Sequence, residues 1–326
     1  MADVAREAGV SASTVSRVFS LPETVRADTR QRVLVVARRL DFTPNRAASS
    51  LARGRTRTLG LLVPDVVNPY YAEIVKTVQH RARAKDHALF LADTGDDPSD
   101  GFELAQAMAG QTDGLLLAGP RMTDEMVREL SQAGPVALIG ARLPETDSAY
   151  AELVTGMRHV VRHLAALGHT RIVYVNGTRT ARTLGHRQPM QDACDEYGVE
   201  LVEQLGPFDL TFDNGVAAAD LVPTSGATAV IAHNEMVAHG VAAGFARQGH
   251  TVPGDFSLVT VDDTFMARTI HPALTALHIP LDVMGTRAVD LLLQRIEDPD
   301  GEPRHAALPT SLVVRASTGR SGGVAS

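Results

Sequence analysis

Short unbroken apolar runs recur along most of this chain. They fall at residues 59–63, 88–92, 114–118, 136–139, 172–175, 229–232 and 258–261, each four or five residues long. Between them lie stretches with helical spacing, such as residues 70–85. Strands that are apolar on both faces and alternate with helices predict parallel sheets covered on both sides. The length allows two such sheets. In folds of this kind, ligands bind beyond the carboxyl ends of the strands.

The first 45 residues have a different texture. The pattern predicts a helix over 3–8 ended by Gly9, and a second helix capped by Ser11 and running to about residue 19. Pro22 breaks the chain. A third helix over 27–40 places Val33, Val36, Ala37 and Leu40 on one face. Two helices joined by a tight turn that contains a glycine, with a third behind them, predict a helix-turn-helix head. Thr43-Pro44-Asn45 ends the third helix. The polar run RAASSLARGRTRT follows, a linker too short and too polar to hold a helix on its own. At the other end, the Gly/Ser-rich tail after Thr318 is expected to be disordered.

Charge sharpens this division. The 326 residues carry a net −7, yet the first 57 hold eleven arginines against five acidic residues, a net +6 that leaves −13 for the remainder. A basic head on an acidic body suits a protein whose head alone meets phosphates. No apolar run is long enough to span a bilayer, and the N-terminus lacks an apolar signal core, so a cytoplasmic location is expected. A single cysteine, Cys194, allows no internal disulfide and no cysteine metal cluster. The histidines are scattered, His186, His233 and His278 among them, so no metal is expected. No nucleophile elbow, P-loop or G-x-G-x-x-G stands after a strand, which argues against an enzyme and against a bound cofactor.

The run DVAREAGVSASTVSRV places Ser11, Ala12, Ser13, Thr14, Ser16 and Arg17 on the exposed start and face of the second helix, where a recognition helix enters the major groove. Arg17 has the fork to bond guanine, and the hydroxyls suit phosphates or base edges. The run is followed by PNRAASSL, LGLLVPDVVNPYYAEIV, LGHTRI at residues 167–172 and PTSLVVRAST near the end. In this order over nearly the whole chain, these motifs resemble the lactose-repressor (LacI) family of transcriptional regulators.

The resemblance implies a head at 1–44, a hinge at 45–57 and an effector-binding and dimerisation body at 58–326. The body would have a periplasmic-binding-protein-like α/β form with two parallel-sheet lobes. One lobe would take about 58–150 and 282–307, the other about 151–281 and 308–318. Ala12 and Ser13 would choose bases. Asn45, Arg46, Ala48 and Leu51 would lie in a hinge that becomes helical on DNA, with Leu51 as the minor-groove wedge. Partners would be a pseudo-palindromic DNA operator, a second copy of the chain and a small-molecule effector such as a sugar. The protein would act as a repressor without any membrane association.

Effector contacts implied in the cleft are Tyr70, Tyr71, Arg187, Asn234 and Asp262. By the residues alone, the two tyrosines suit cleft or core equally, and Asp262 or its neighbour Asp263 suits a helix cap. Three departures from the family pattern reduce the polar lining: Gly140 where many members have aspartate, Ile279 at a position facing the ligand, and Met190 for a usual glycine. Only Met1 and Ala2 precede Asp3, where the family pattern has a Thr/Ser-type cap for the first helix: either the cap is missing or the true start lies upstream. Two weaker readings remain, a binding protein without DNA contacts and an α/β enzyme with a fused helical domain.

Overall fold

The computed structural model describes residues 1–20, 22–42, 55–95, 97–177 and 181–322. Asn45, Arg46, Ala48 and Leu51 lie outside the described residues, and so does the side chain of Arg187. The chain forms two compact units, residues 1–57 with 111–113, and residues 58–110 with 114–326.

In the first unit, helices α1 (Ala2–Ala8), α2 (Ala12–Ser20) and α3 (Ala27–Arg39) enclose a small core of Val4, Ala5, Ala8, Val15, Val18, Val33, Val36 and Ala37. Leu40, expected on the buried face of α3, follows the helix as its C-cap and is exposed. Gly9 ends α1 at a φ of +65°, a conformation that glycine reaches at little cost. Helix α1 has no side-chain cap at its start. Ser11 caps α2 by accepting from the Thr14 N–H at 3.1 Å. An ion pair from Arg39 to Glu7 ties α3 to α1.

The second unit contains two six-stranded sheets. The first comprises β1 (Thr58–Val63), β2 (Ala88–Asp93), β3 (Gly114–Ala118), β4 (Val136–Ile139), β5 (Asp147–Glu152) and β11 (His305–Pro309). Its order is β11-β5-β4-β3-β1-β2 and every pairing is parallel. The second comprises β6 (Arg171–Gly177), β7 (Glu200–Phe208), β8 (Ala229–Ala232), β9 (Ser257–Val261), β10 (Thr275–His278) and β12 (Ser311–Val313). Its order is β12-β10-β9-β8-β6-β7, with only β12 antiparallel. Strands buried on both faces account for most of the unbroken apolar runs: every residue of β1, β3, β4, β8 and β9 is buried. The run at 88–92 departs from that expectation, since β2 lies at the sheet edge and is half-exposed or exposed along its length.

The helices between strands are α4 (Pro69–Ala84), α5 (Pro98–Ala109), α6 (Asp124–Ala133), α7 (Leu153–Ala166), α8 (Ala181–Tyr197), α9 (Phe212–Ala219), α10 (Val222–Ser225), α11 (Glu235–Gln248), α12 (Met266–Thr269) and α13 (Leu281–Glu297). The chain changes sheet three times, after β5, after β10 and after β11. Two lobes linked by three strands of chain therefore share one apolar cluster, which extends from Leu59 and Ile74 to Tyr174 and Leu277. Among the described residues no helix is long and apolar enough to cross a membrane.

The tail corrects an expectation. Composition predicts disorder after Thr318, but the backbone is described to Gly322 and is held by specific contacts. Buried His169 reaches the carbonyl of Gly319 at 3.1 Å, and the Ser321 N–H donates to the Leu167 carbonyl at 2.9 Å. Over residues 319–322, glycine content does not loosen a segment tied at the Gly319 N–H and carbonyl and at the Ser321 N–H; residues 323–326 of that expectation lie outside the described residues.

Candidate functional sites

The exposed side of α2 carries the head's candidate chemistry. Val15 and Val18 face the core, which turns Ala12, Ser13 and Arg17 fully outward and leaves Thr14 and Ser16 half-buried. The Ser11 hydroxyl lies 2.8 Å from the hydroxyls of both Ser13 and Thr14, so three polar tips are held in one small array. Short side chains on this face let a helix backbone approach base edges closely, and Arg17 supplies reach and charge.

The second candidate site lies at the carboxyl ends of the strands in both lobes. Asn68 caps α4 by accepting from the Tyr70 N–H at 3.0 Å, with Pro69 in the first turn. That start directs Tyr70 and Tyr71 to the strand ends, their rings edge to face at 5.1 Å. Tyr71 is buried in the shared cluster, while Tyr70 is half-buried at its edge. Both need glycine beside them. A β-carbon on Gly119 would fall 2.6 Å from the Tyr71 hydroxyl, and one on Gly140 would fall 3.1 Å from that of Tyr70. Gly140 thus makes room for a tyrosine tip.

Asp262 follows β9 with a φ of +78° and is only 8% exposed. It makes no hydrogen bond among the described residues. Burial, and then the charges of Glu235 and Glu73, hold its carboxyl well above the usual carboxylate range. Burial raises the Tyr70 hydroxyl too, and Asp262 adds to that rise, so the two groups sense each other across the lobes. Neither Asp262 nor Asp263 caps a helix. Helix α12 has no side-chain cap, and Asp263 instead pairs with Arg315 at 2.6 Å and faces His278 at 3.6 Å.

Asn234 is committed elsewhere. Its carbonyl oxygen accepts from the Val237 N–H at 2.9 Å as the cap of α11, and its amide donates to the Leu210 carbonyl at 3.4 Å. The neighbouring His233 takes the position at the strand end, its Nδ1 2.7 Å from the hydroxyl of Tyr174. Tyr174 is fully buried, and burial with the nearby Asp262 raises its hydroxyl. Glu235 fixes the loop after β9 by accepting from the Thr264 and Ala267 N–H groups, at 2.7 and 3.2 Å, and from the Thr264 hydroxyl. Burial outweighs these bonds and raises its carboxyl. Ile279 and Met190 are buried in the shared cluster.

Sequence reasoning did not single out Tyr174, Glu73 or Glu235. A tyrosine inside the otherwise aliphatic run at 172–175 is the one local signal that could have found Tyr174. The two glutamates gain their place only from the fold.

Comparison with known proteins adds an independent line. Residues 1–45 match the model of bacterial regulatory proteins of the lacI family, and residues 161–318 match a periplasmic binding protein-like domain. The chain is similar to the HTH-type transcriptional regulator CelR of Thermobifida fusca, with 32% identity over 96% of each chain. It is 30% identical to the HTH-type transcriptional regulator DegA of Bacillus subtilis over 97% of each. Among solved structures it resembles the lac repressor dimer bound to operator and an anti-inducer, with 25% identity, 97% and 98% coverage and a TM-score of 0.87. It also resembles a complex of the regulator CelR with cellobiose, at 28% identity, 96% and 98% coverage and a TM-score of 0.73.

Proposed function

The chain belongs to the lacI family of bacterial regulatory proteins and is a DNA-binding transcriptional regulator, not an enzyme; we propose that it is a dimeric repressor whose grip on a pseudo-palindromic operator is set by a polyhydroxylated effector, a sugar or related metabolite, in the cleft between its lobes. Ser11, Ala12, Ser13, Thr14, Ser16 and Arg17 read the major groove. Asn45, Arg46, Ala48 and Leu51 form the hinge, and Leu51 enters the minor groove at the operator centre. Residues 1–44, 45–57 and 58–326 act as head, hinge and sensor.

The observation that carries the effector reading is Asp262, a largely buried carboxyl opposite Tyr70 that makes no hydrogen bond among the described residues. Such a group is open to donors from a ligand. Hydroxyl groups of a ligand supply donors to it, with Tyr70 and Tyr71 against the ring and Arg187 donating from the other lobe. Asn234 caps α11 and so serves the site by fixing the strand end. The relative CelR has been solved with cellobiose, which supports a carbohydrate. Buried Ile279 and the missing aspartate at Gly140 favour a ligand with one apolar face. Ligand closure of the lobes then alters hinge spacing, and operator and effector affinities change reciprocally.

The second copy covers the outer edge of the first sheet. Strand β2 ends that sheet with one side unpaired, and Phe90 and Leu91 on it are each 46% exposed.

A thermal-shift panel of sugars, sugar phosphates, polyols and nucleobases tests the effector reading. A ligand at a hundred times its Kd adds about 2.7 kcal/mol of stability. The stabilisation is expected from a polyhydroxylated compound and lost in Asp262→Asn. Stabilisation by such a compound that survives the substitution would place the effector elsewhere.

A further inference from the structure

The segment leading into β1 ends in a strained backbone state. Arg57 has a φ of +51°, in the left-handed region that side chains other than glycine seldom adopt. The carboxylate of Asp113 holds it there. One oxygen accepts from the Thr56 N–H at 2.6 Å and from the Thr56 hydroxyl at 2.9 Å. The other accepts from the Arg57 N–H at 2.8 Å. Three donors on two consecutive residues converge on one side chain from a distant part of the sequence.

This is not the ordinary work of an aspartate in a turn, which bonds the backbone two or three residues ahead of itself. Here the bonded N–H groups come just before the first pairing of β1, at Thr58. Asp113 is itself tightly placed. The next residue, Gly114, opens β3 so closely packed that a β-carbon would fall 2.8 Å from Leu292 and 3.0 Å from the Pro135 carbonyl.

We propose that Asp113 is a positioning residue for operator recognition: by clamping Thr56 and Arg57 it fixes the point from which the linker departs. The proposal rests on the hinge reading given above. A linker that must order on DNA loses less conformational freedom when one end is already fixed. Binding to unrelated DNA draws on the head's arginine charges and needs no ordered linker. The clamp therefore supports the specific complex and leaves the non-specific one alone.

The test uses the full chain and the duplex that it enriches from a random pool, with an unrelated duplex of equal length as reference. Asp113→Ala is expected to weaken the enriched duplex about tenfold, ~1.4 kcal/mol, and to leave the unrelated one unchanged. Asp113→Asn keeps one accepting oxygen and falls between. Adding Arg57→Gly to Asp113→Ala gives no rescue, because glycine admits that φ without fixing it. Equal loss on both duplexes, no loss on either, or full rescue by glycine would overturn the clamp while the regulator reading stands. If the unaltered chain enriches no sequence, both fail.

Discussion

The Tyr70 hydroxyl lies so close to the Cα of Gly140 that a β-carbon there would fall 3.1 Å from it. Gly140 also has a φ of +69°, which β-carbons disfavour. Two constraints therefore meet on one residue. A phenol from the start of α4 thus takes the space beside the end of β4 that a side chain at 140 would fill.

Gly140→Ala is accordingly expected to cost about 1–2 kcal/mol in chemical denaturation, from backbone strain and the displaced phenol together. Tyr70→Phe in the same background should recover the steric part only. Full recovery would show that the backbone at Gly140 is not strained.

Asp262 sets a pH dependence. Burial and then Glu235 and Glu73 hold its carboxyl well above its ordinary value of 3.8. An acid raised by folding favours the folded state fully below its unfolded value, and that contribution is lost as pH climbs through the raised one. Glu235 and Glu73 are raised in the same direction and stay in both proteins. Asp262→Asn should therefore raise Tm near neutral pH, and the gain should vanish below about pH 3.8. Calorimetry across that range decides it, and a lower Tm near neutrality would show that the carboxylate has a partner in the folded protein.

Arg17 should separate specific from general DNA binding. It is exposed on α2, and a guanidinium bonded to a guanine is worth about 1–3 kcal/mol of discrimination. Arg17→Ala is expected to lower affinity for the enriched duplex by that amount and to relax preference at one base pair. Uniform weakening across sequences would make it a phosphate contact.

The pair of buried Asp147 and half-buried Arg295 closes the turn between α13 and β11. Arg295 donates to Asp147 at 2.6 Å and to the carbonyls of Pro299 and Gly301 at 2.9 and 2.6 Å. Removing one member strands the other, so Arg295→Ala should cost about 3–5 kcal/mol in urea unfolding. Arg81 and Asp290 make a bidentate pair that is more exposed, so Arg81→Ala should cost about 1 kcal/mol or less. Equal costs would show that exposure does not rank these pairs.

Several elements were legible because their causes are local. The runs at 59–63 and 229–232 are strands since burial on both faces admits only apolar residues. Ser11 caps α2 and Gly9 ends α1 through bonds to residues at most four positions away. Other strands were hidden: β5, β11 and β12 carry polar or half-exposed residues near sheet edges, where period and composition say little. Near the strand ends, residue type and position after a strand pointed to Asn234 and Asp262 and left Tyr70 and Tyr71 even between cleft and core. Type and position were not enough to tell Asn234, committed to a cap, from His233 beside Tyr174.

What the sequence determined by itself is the division into a basic helical head and an alternating α/β body, because periodicity, capping and charge act over a few residues. Only the tertiary structure decided that Gly140 makes room for Tyr70, that Asp262 is buried with no hydrogen bond among the described residues, and that Asp113 holds Thr56 and Arg57. Each depends on groups brought within bonding distance from remote parts of the chain. Burial and close approach then change what a carboxyl or a missing β-carbon can do.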